Sequence, residues 1–191
     1  MKKISTLYKK DPLDLGQVIN EINPDNSWVF TDDGVKATQK YDGTACAVID
    51  GKLYKRYDVK KGKQVPEFAI PCQEPDAITG HWPHWILCSH DDPADQYHFQ
   101  AFDEQHPLPD GTYELVGPKV QGNPENRTGH YLHSHGDFNL DLDLKSFDFG
   151  AFKDYLQVVD IEGIVFHHTD GRMCKLRKSD FGIKRNKKIP V

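Results

Sequence analysis

The sequence predicts an α+β protein in which antiparallel hairpins predominate and helices are few. Asp-Gly pairs at residues 50–51 and 170–171 each separate two short runs of β-prone residues, which is the pattern of a tight hairpin turn. Apolar residues recur at helical spacing over residues 15–22 and 149–156. The 191 residues are 37% hydrophobic and 28% charged, so we expect one domain over residues 1–191 with a sizeable core.

The two helices have recognisable ends in the sequence. Asp14 is suited to the N-cap of the first helix, because its side-chain oxygen can accept a backbone N–H of the first turn. Val18 and Ile22 fall on one face of that helix, and Pro24 would end it. The second helix, over residues 149–156, would follow a serine or aspartate cap.

Seven strands account for the other periodic segments. In chain order they are expected at residues 35–39, 44–49, 52–57, 111–116, 131–135, 161–167 and 173–177. The first strand would deliver Lys40 at its end, next to a glycine-bearing turn. Residues 65–110 show weak periodicity, so we expect irregular loops there with a few short strands. Histidines and a cysteine at residues 81–90 invite a zinc site, but their spacing matches no standard zinc module and favours a packed loop.

The charge of the chain is unevenly distributed. Its net charge is −5, yet residues 52–63 hold six Lys or Arg against Asp58, and residues 175–188 hold seven against Asp180. Two basic stretches on an acidic body predict a local phosphate-binding surface. The alternative is that both stretches are simply solvated faces.

The sequence also indicates a compartment. No apolar run approaches the roughly 18 residues of a membrane span, and residues 1–8 carry charge without the apolar block of a signal peptide. Cys46, Cys72, Cys88 and Cys174 are scattered and form no C-x-x-C motif. We therefore expect a cytoplasmic protein with reduced thiols, no membrane association and no obligate protein partner.

Four short motifs carry the chemical signal. They are KYDG at residues 40–43, YELVG at 113–117, EGIVF at 162–166 and CKLRK at 174–178. Each is weak alone, but the ordered series resembles motifs I, III, IV and V of the covalent nucleotidyltransferases. That superfamily contains DNA ligases, RNA ligases and mRNA capping enzymes. By this resemblance, Lys40 is the nucleophile that becomes covalently attached to a nucleotide.

Further segments narrow the resemblance. They are the W-P-x-W stretch at residues 82–85, the loop at 117–124, L-x-x-H-G at 132–136 and residues 161–167. Together they look like the small 5′-to-3′ RNA ligases of the RNA ligase 1 family. The resemblance implies a nucleotidyltransferase (adenylyltransferase) fold, with two twisted antiparallel β-sheets flanked by helices and a nucleotide cleft between them. Only 14 residues follow Arg177, so we expect no OB domain.

The resemblance also implies an activity. The substrates would be ATP and RNA ends, one bearing a 5′-phosphate and the other a 3′-OH, with Mg²⁺ or Mn²⁺ as the metal. The reaction would proceed through lysyl-AMP, then through transfer of AMP to the 5′-phosphate, and then through sealing by the 3′-OH. A capping-type guanylyltransferase and a DNA-nick ligase core remain alternatives, because the sequence does not reveal which purine is selected.

The chemistry explains why lysine needs charged neighbours. An amine attacks phosphorus only when it is neutral, and an unperturbed lysine with a pKa near 10.4 is about one-thousandth neutral near pH 7.4. Nearby cations and desolvation favour the neutral form. Lys175 and Arg177 are candidate cations for the site of Lys40, although the family usually has lysine at both positions. Asp42 and Glu162 are candidate carboxylates that would hold Mg²⁺ through its waters and orient the amine.

Other residues are candidates for binding the nucleotide. Glu114 could accept hydrogen bonds from the ribose diol, and we also count it among the candidate metal ligands. Val165 would form one wall of the adenine slot, and His135 could stack on the opposite face. Arg56 resembles a basic residue of motif Ia. Lys175 and Arg177 would point to the same face of a strand and could hold a phosphate.

A non-enzyme hypothesis is a nucleotide- or RNA-binding module that kept the fold and lost catalysis. Against it, every expected reactive position is present. These positions are Lys40, Asp42, Glu114, Glu162 and Lys175. The sequence therefore favours an active enzyme.

Overall fold

The computed structural model describes residues 3–77 and 79–185, so the last three positions of the basic stretch at 175–188 lie outside the described residues. The chain divides into two compact units. We call Asp42–His135 the Glu114 unit. We call Ile4–Tyr41, together with the described residues from Gly136 onwards, the Lys40 unit. The chain passes from the Lys40 unit to the Glu114 unit after Tyr41 and returns after His135.

Thirteen strands and three α-helices form within the described residues. The strands are β1 (Ser5–Thr6), β2 (Tyr8–Lys10), β3 (Val18–Ile22), β4 (Lys36–Lys40), β5 (Thr44–Ile49), β6 (Lys52–Val59), β7 (Ile70–Pro71), β8 (Trp82–Leu87), β9 (Gly111–Val116), β10 (Tyr131–Ser134), β11 (Asn139–Leu140), β12 (Gly163–His167) and β13 (Met173–Arg177). The helices are α1 (Trp28–Thr31), α2 (Gln96–Gln105) and α3 (Phe149–Val158). The chain is therefore an α+β protein, as the sequence predicts. No helix in the described ranges has the length and apolar character needed to cross a membrane.

The Glu114 unit is built on an antiparallel sheet with the strand order β10-β9-β5-β6-β8-β7. Alternate residues of β5 and β9 point into a core that includes Cys46, Val48 and Leu115. Helix α2 contributes Ala101 and Phe102 to this core. The sheet thus buries one set of side chains and leaves the alternate set for other roles.

The Lys40 unit contains a sheet with the strand order β1-β13-β12-β4-β11, in which β1 runs parallel to β13 and the other pairs are antiparallel. Strands β2 and β3 form a separate antiparallel ribbon. Helix α3 covers one face of this five-stranded sheet, and its Phe152 and Leu156 are fully buried. Asp148 caps that helix by accepting the Ala151 N–H at 2.8 Å, so the second predicted helix and its aspartate cap are confirmed.

The first predicted helix is wrong. Val18, Ile19 and Ile22 lie instead on β3, which pairs with β2. Asp14 does accept a nearby N–H, but that of Gly16 at 2.9 Å, in a local turn that does not continue as a helix. Val18 and Ile19 are β-branched, and pairing with another strand outweighs a helical spacing of only a few residues.

A helix is present where irregular loops were expected. Asp92 accepts the Ala94 N–H at 2.9 Å and caps a 3₁₀ turn at Pro93–Asp95 that leads directly into α2. The helix carries few apolar residues, and only Ala101 and Phe102 are buried, so its apolar periodicity is faint. Packing against the sheet stabilises it more than its own sequence does.

Candidate active site

One face of the sheet in the Lys40 unit gathers most of the predicted catalytic side chains. Lys40 lies opposite Gly163, and Thr38 lies opposite Val165. Val165 in turn lies opposite Lys175 on the next strand. Side chains of directly opposed residues share a face, so Thr38, Lys40, Val165 and Lys175 project together. The other face carries the buried core residues Ala37, Ile164, Phe166, Cys174 and Leu176.

The ion pair between Lys40 and Glu162 is the centre of this face. The Nζ of Lys40 lies 2.5 Å from Oε2 of Glu162, and their side chains are 25% and 21% exposed. Nζ also donates to the Tyr41 carbonyl oxygen at 3.4 Å. Lys40 ends β4, and Glu162 immediately precedes β12, so the pairing of these two strands brings the charges together. The amine is thus held partly buried beside a carboxylate.

Glycine follows the acid in motif IV because the neighbouring strand is close. A Cβ on Gly163 would lie 2.3 Å from the carbonyl oxygen of Leu176 and 2.8 Å from the Cα of Arg177. Neither backbone atom can move without opening the pairing of β12 with β13. The E-G sequence therefore places Glu162 at a strand end where only glycine allows the close approach.

Lys175 sits in an environment that disfavours its charge. Burial lowers the pKa of Lys175 to about 8, and the positive charges of Arg177 and Lys40 add to the effect. The same field that acts on Lys175 makes this face electropositive around the Lys40 amine. The arrangement suits a group that must bind phosphate oxygens.

Arg177 is held by a buried carboxylate. Its Nη2 donates to Oδ1 of Asp180 at 2.8 Å, and its backbone N–H donates to Oδ2 at 2.8 Å. Lys10 donates to the same Oδ1 at 2.7 Å. Burial would raise the pKa of Asp180, but the hydrogen bonds from Arg177 and Lys10 outweigh it and lower that pKa. If Arg177 contacts a phosphate, its guanidinium must do so while it remains hydrogen-bonded to Asp180.

The Glu114 unit contains a second group of predicted residues. Oε1 of Glu114 accepts the Gly43 N–H at 3.1 Å, and Oε2 lies 2.9 Å from Nε2 of His135. A Cβ on Gly43 would lie 2.1 Å from the Leu115 carbonyl oxygen, so the glycine of K-x-D-G is required by close backbone approach. The backbone N–H of Asp42 donates to Oε1 of Glu125 at 2.9 Å. The turn after Lys40 is thus fixed by two glutamates.

Two histidines near Glu114 lie on strand β10 and directly after it. His133 lies opposite Glu114, and burial lowers the pKa of His133, with the positive charge of Arg127 acting in the same direction. His135 keeps its ring beside Glu114, while its buried Nδ1 has no hydrogen-bond partner among the described residues. The stacking role for His135 stays a prediction, but the hydrogen bond explains why its ring is held in place.

The predicted residues divide between the two units. Lys40, Glu162, Val165, Lys175 and Arg177 belong to the Lys40 unit. Asp42, Arg56, Glu114 and His135 belong to the Glu114 unit.

Sequence reasoning missed Thr38, His167 and Glu125. Thr38 Oγ1 lies 2.9 Å from Nε2 of His167 on the Lys40 face, and Glu125 holds the Asp42 amide. Alternation along β4 and β12 would have placed the first two residues on this face, but no sequence signal predicts the contact of Glu125.

Comparison with known proteins supports the family resemblance. No family model matches the chain. Among curated proteins, RNA ligase 1 of Mus musculus and RNA ligase 1 of Rattus norvegicus are each 27% identical to it over an alignment of 220 positions. In each case the match covers 77% of this chain and 67% of the relative. This chain is a distant relative of RNA ligase 1. The resemblance to that family, predicted from the motifs, is confirmed at this level.

The RNA ligase relationship raises the question of a metal site. Within the part of the chain that the structure describes, no cluster of three His, Cys, Asp or Glu side chains could hold a metal ion. Mg²⁺ does not require such a cage, because it keeps several waters and is often held by one or two carboxylates together with substrate phosphates. Glu162 fits this mode of binding. Both oxygens of Glu114 already meet protein donors, so it fits less well.

The basic stretches of this RNA ligase relative are partly used inside the protein. Lys55 pairs with Asp95 at 2.6 Å and with Asp92 at 3.0 Å. Arg56, the candidate of motif Ia, donates from Nε to Asp58 at 3.1 Å. These charges therefore stabilise the fold, and the phosphate-binding surface predicted from residues 52–63 must depend on the remaining lysines.

The residues considered for zinc have ordinary structural surroundings. Nδ1 of the buried His84 lies 2.9 Å from the Trp82 carbonyl oxygen, and His90 stacks on Phe99 with ring centroids 3.6 Å apart. The thiols of Cys46, Cys88 and Cys174 are free and buried, and that of Cys72 is free and half-buried.

Proposed function

We propose that this protein is an ATP-dependent RNA ligase with a nucleotidyltransferase fold. It joins a 5′-phosphate to a 3′-OH through lysyl-AMP on Lys40 and an AMP-capped RNA. The observation that carries the proposal is the Lys40–Glu162 ion pair on a face that also bears Lys175. The distant relationship to proteins named RNA ligase 1 supports RNA as the substrate class.

In the first step, the Nζ of Lys40 forms a bond to the α-phosphorus of ATP, and the bond from that phosphorus to the pyrophosphate oxygen breaks. The amine must lose a proton to become nucleophilic. Oε2 of Glu162, at 2.5 Å, is the acceptor within reach. Glu162 also fixes the direction of the amine, which lowers the entropy that the attack must overcome.

In the second step, an oxygen of the RNA 5′-phosphate attacks the same phosphorus, and the Lys40 nitrogen leaves and regains a proton. In the third step, the 3′-OH attacks the 5′-phosphate, AMP leaves and the hydroxyl proton is released. Lys175 faces the same side as Lys40 and, when protonated, stabilises the charge that develops on the phosphate oxygens. Val165 lies on β12, between the strand of Lys40 (β4) and the strand of Lys175 (β13), and supplies an apolar contact for the adenine.

Mg²⁺ or Mn²⁺, when bound, would neutralise phosphate charge and favour departure of pyrophosphate. Glu162 would hold the ion in the Lys40 unit through its waters, and Asp42 is a further candidate ligand. Glu114 is proposed to accept hydrogen bonds from the ribose hydroxyls. His135 and the Gly43 N–H keep its carboxylate oriented for that purpose.

Covalent labelling tests the proposal. The protein is incubated with ATP labelled at the α-phosphorus and with Mg²⁺, and the labelled residue is mapped by mass spectrometry. We expect the label on Lys40 and none in Lys40→Arg. Lys36→Arg is the matched control, because Lys36 lies on the same strand and face. Labelling of another residue, or no labelling of the wild-type protein, would contradict the proposal.

Two further comparisons separate the alternatives. Labelling with GTP but not with ATP would favour the capping-type guanylyltransferase. Matched RNA and DNA nicks, hairpins and single strands then identify the substrate. Efficient sealing of DNA nicks with no sealing at RNA 3′-OH ends would contradict the assignment to RNA.

A further inference from the structure

The connection between β6 and β7 exposes the ring of Phe68 to solvent on a strained backbone. Phe68 is 87% exposed and has a φ of 59°. Both properties cost free energy, because an exposed phenyl ring gains nothing from burial and a left-handed backbone is strained for a residue with a bulky side chain. No ring contact to Phe68 occurs within the described residues. Such an outlier points to a function outside the folding of the unit itself.

The conformation of this connection is defined by local hydrogen bonds. The Lys63 N–H donates to the Lys60 carbonyl oxygen at 3.0 Å, and the Ala69 N–H donates to the Pro66 carbonyl oxygen at 3.2 Å. These two turns precede β7, which pairs with β8. The Phe68 ring is therefore presented by consecutive turns at the start of a paired strand.

The same connection carries available positive charge. Lys60, Lys61 and Lys63 are exposed, and none of them makes an ion pair to the described part of the chain. They differ in this from Lys55 and Arg56 on the preceding strand, which pair with aspartates. Only one acidic residue, at position 67, lies among residues 60–69. On a chain with a net charge of −5, this is a local attraction for a polyanion.

We propose that residues 60–68 bind single-stranded RNA, with a base stacked on Phe68 and backbone phosphates on the three lysines. Exposed aromatic rings alternating with cations are the usual means by which proteins hold unpaired strands, since every base presents a flat face and every nucleotide a phosphate. A duplex would hide those base faces, so the aromatic ring favours an unpaired segment. The choice of RNA over DNA rests on the function proposed above.

The main experiment measures binding of a fluorescently labelled, 5′-phosphorylated RNA of about 12 nucleotides by anisotropy. Phe68→Ala should weaken binding by about 5-fold to 150-fold, which is the loss of one stacked base. Phe68→Tyr keeps a ring and should bind as the wild type does. Val158→Ala is the matched control, because Val158 is also apolar and 82% exposed.

The charge contribution is measured through salt. The triple variant Lys60→Ala, Lys61→Ala and Lys63→Ala should reduce the slope of log affinity against log salt by about 2, because each single-strand phosphate contact contributes about 0.7. Lys153→Ala, an exposed lysine of α3, should leave the slope unchanged. All of these side chains are exposed, so the melting temperatures should stay equal.

Several results would overturn the inference. If Phe68→Ala binds RNA as tightly as the wild type, no base stacks on Phe68. If the triple lysine variant keeps the wild-type salt slope, the three lysines do not contact phosphates. Binding of phosphatidylserine vesicles through these residues, with RNA affinity unaffected, would assign the surface to membranes instead. Labelling of Lys40 by ATP is measured in parallel and should be normal in every variant. If the wild-type protein fails to label while RNA binding depends on Phe68, the proposed ligase function fails and this surface stands.

Discussion

Lys175 is the residue at which the chemistry of the site conflicts most clearly with the stability of the fold. Burial lowers its pKa from 10.5 to about 8. The folded protein therefore holds an ammonium group in a place where a neutral side chain would be more stable. We infer that the charge is retained for its effect on phosphate.

We predict that Lys175→Met stabilises the protein and abolishes nucleotidyl transfer. Unfolded lysine titrates near pH 10.4, so between pH 8 and that value the unfolded chain binds more protons than the folded chain. The wild-type free energy of unfolding therefore rises with pH across this window, and the full cost of about 3 kcal/mol applies below pH 8. Urea unfolding should show the variant more stable at pH 7, with a difference that shrinks towards pH 10.

Lys175→Arg is the control for this prediction. It keeps a cation on the same strand position and should not gain the stability of the methionine variant. If Lys175→Met were less stable than the wild type at pH 7, the argument from desolvation would be wrong.

His135 allows two roles to be separated by substitution. Its Nε2 is bonded to Glu114, whereas the sequence predicted that its ring would stack on adenine. If the hydrogen bond is what matters, His135→Gln should keep most of the activity. His135→Phe should then raise the KM for ATP by about 10-fold or more, the loss of a hydrogen bond to a charged group. The KM and kcat for lysyl-AMP formation measure this directly.

The opposite order of the two variants would support stacking. In that case the phenylalanine variant would bind ATP well and the glutamine variant poorly. His81→Ala, an exposed histidine of the same unit, should leave both constants unchanged and serves as the control.

At the scale of elements, the pairing of β12 with β13 creates the candidate catalytic face. Five consecutive cross-strand pairs join these strands, from Gly163 opposite Arg177 to His167 opposite Met173. Alternation then places Val165 and Lys175 on the face of Lys40 and puts Phe166 and Cys174 in the core. The hairpin therefore serves both the core and the site.

We predict that Gly163→Ala destabilises the Lys40 unit, because its Cβ would overlap the Leu176 carbonyl oxygen. The expected loss is at least about 2 kcal/mol, since strands must separate to admit the methyl group. Gly171→Ala is the matched control within the same hairpin. Gly171 has a φ of +92° but no atom within 4 Å of an added Cβ, so only backbone strain of about 1 kcal/mol applies.

Urea denaturation of the two glycine variants provides the measurement. The midpoint of Gly163→Ala should lie clearly below that of Gly171→Ala. Equal midpoints would show that the close approach of β13 does not constrain this position.

At the scale of the whole molecule, much of the positive charge is used for internal pairing. Lys55 and Arg56 pair with nearby aspartates, and Arg177 shares the fully buried Asp180 with Lys10. A count of cations along the sequence therefore overstates the charge available to a polyanion. Lys60, Lys61 and Lys63 lie close together in the β6–β7 connection and make no ion pair to the described residues, which is why RNA contact is proposed there.

Fold prediction was most reliable where the signal is local. Strands β5, β9 and β13 occupy the predicted residues, because alternation and the Asp-Gly turns specify them within a few positions. The predictions for residues 15–22 and for the segment that forms α2 were wrong because the local signal is weak there. In both segments, contacts with distant strands decided the conformation.

For the candidate site, too, some features follow from the local sequence and others from the tertiary structure. The sequence by itself determined which residues are present and in what order, including the glycines that follow Asp42 and Glu162. Only the tertiary structure decided that Lys40 and Glu162, 122 positions apart, form an ion pair, and that Arg177 pairs with Asp180. The reason is physical. Turn and strand preferences act between neighbours in the chain, whereas the partner of a charge and the pKa of a lysine depend on which strands are in register.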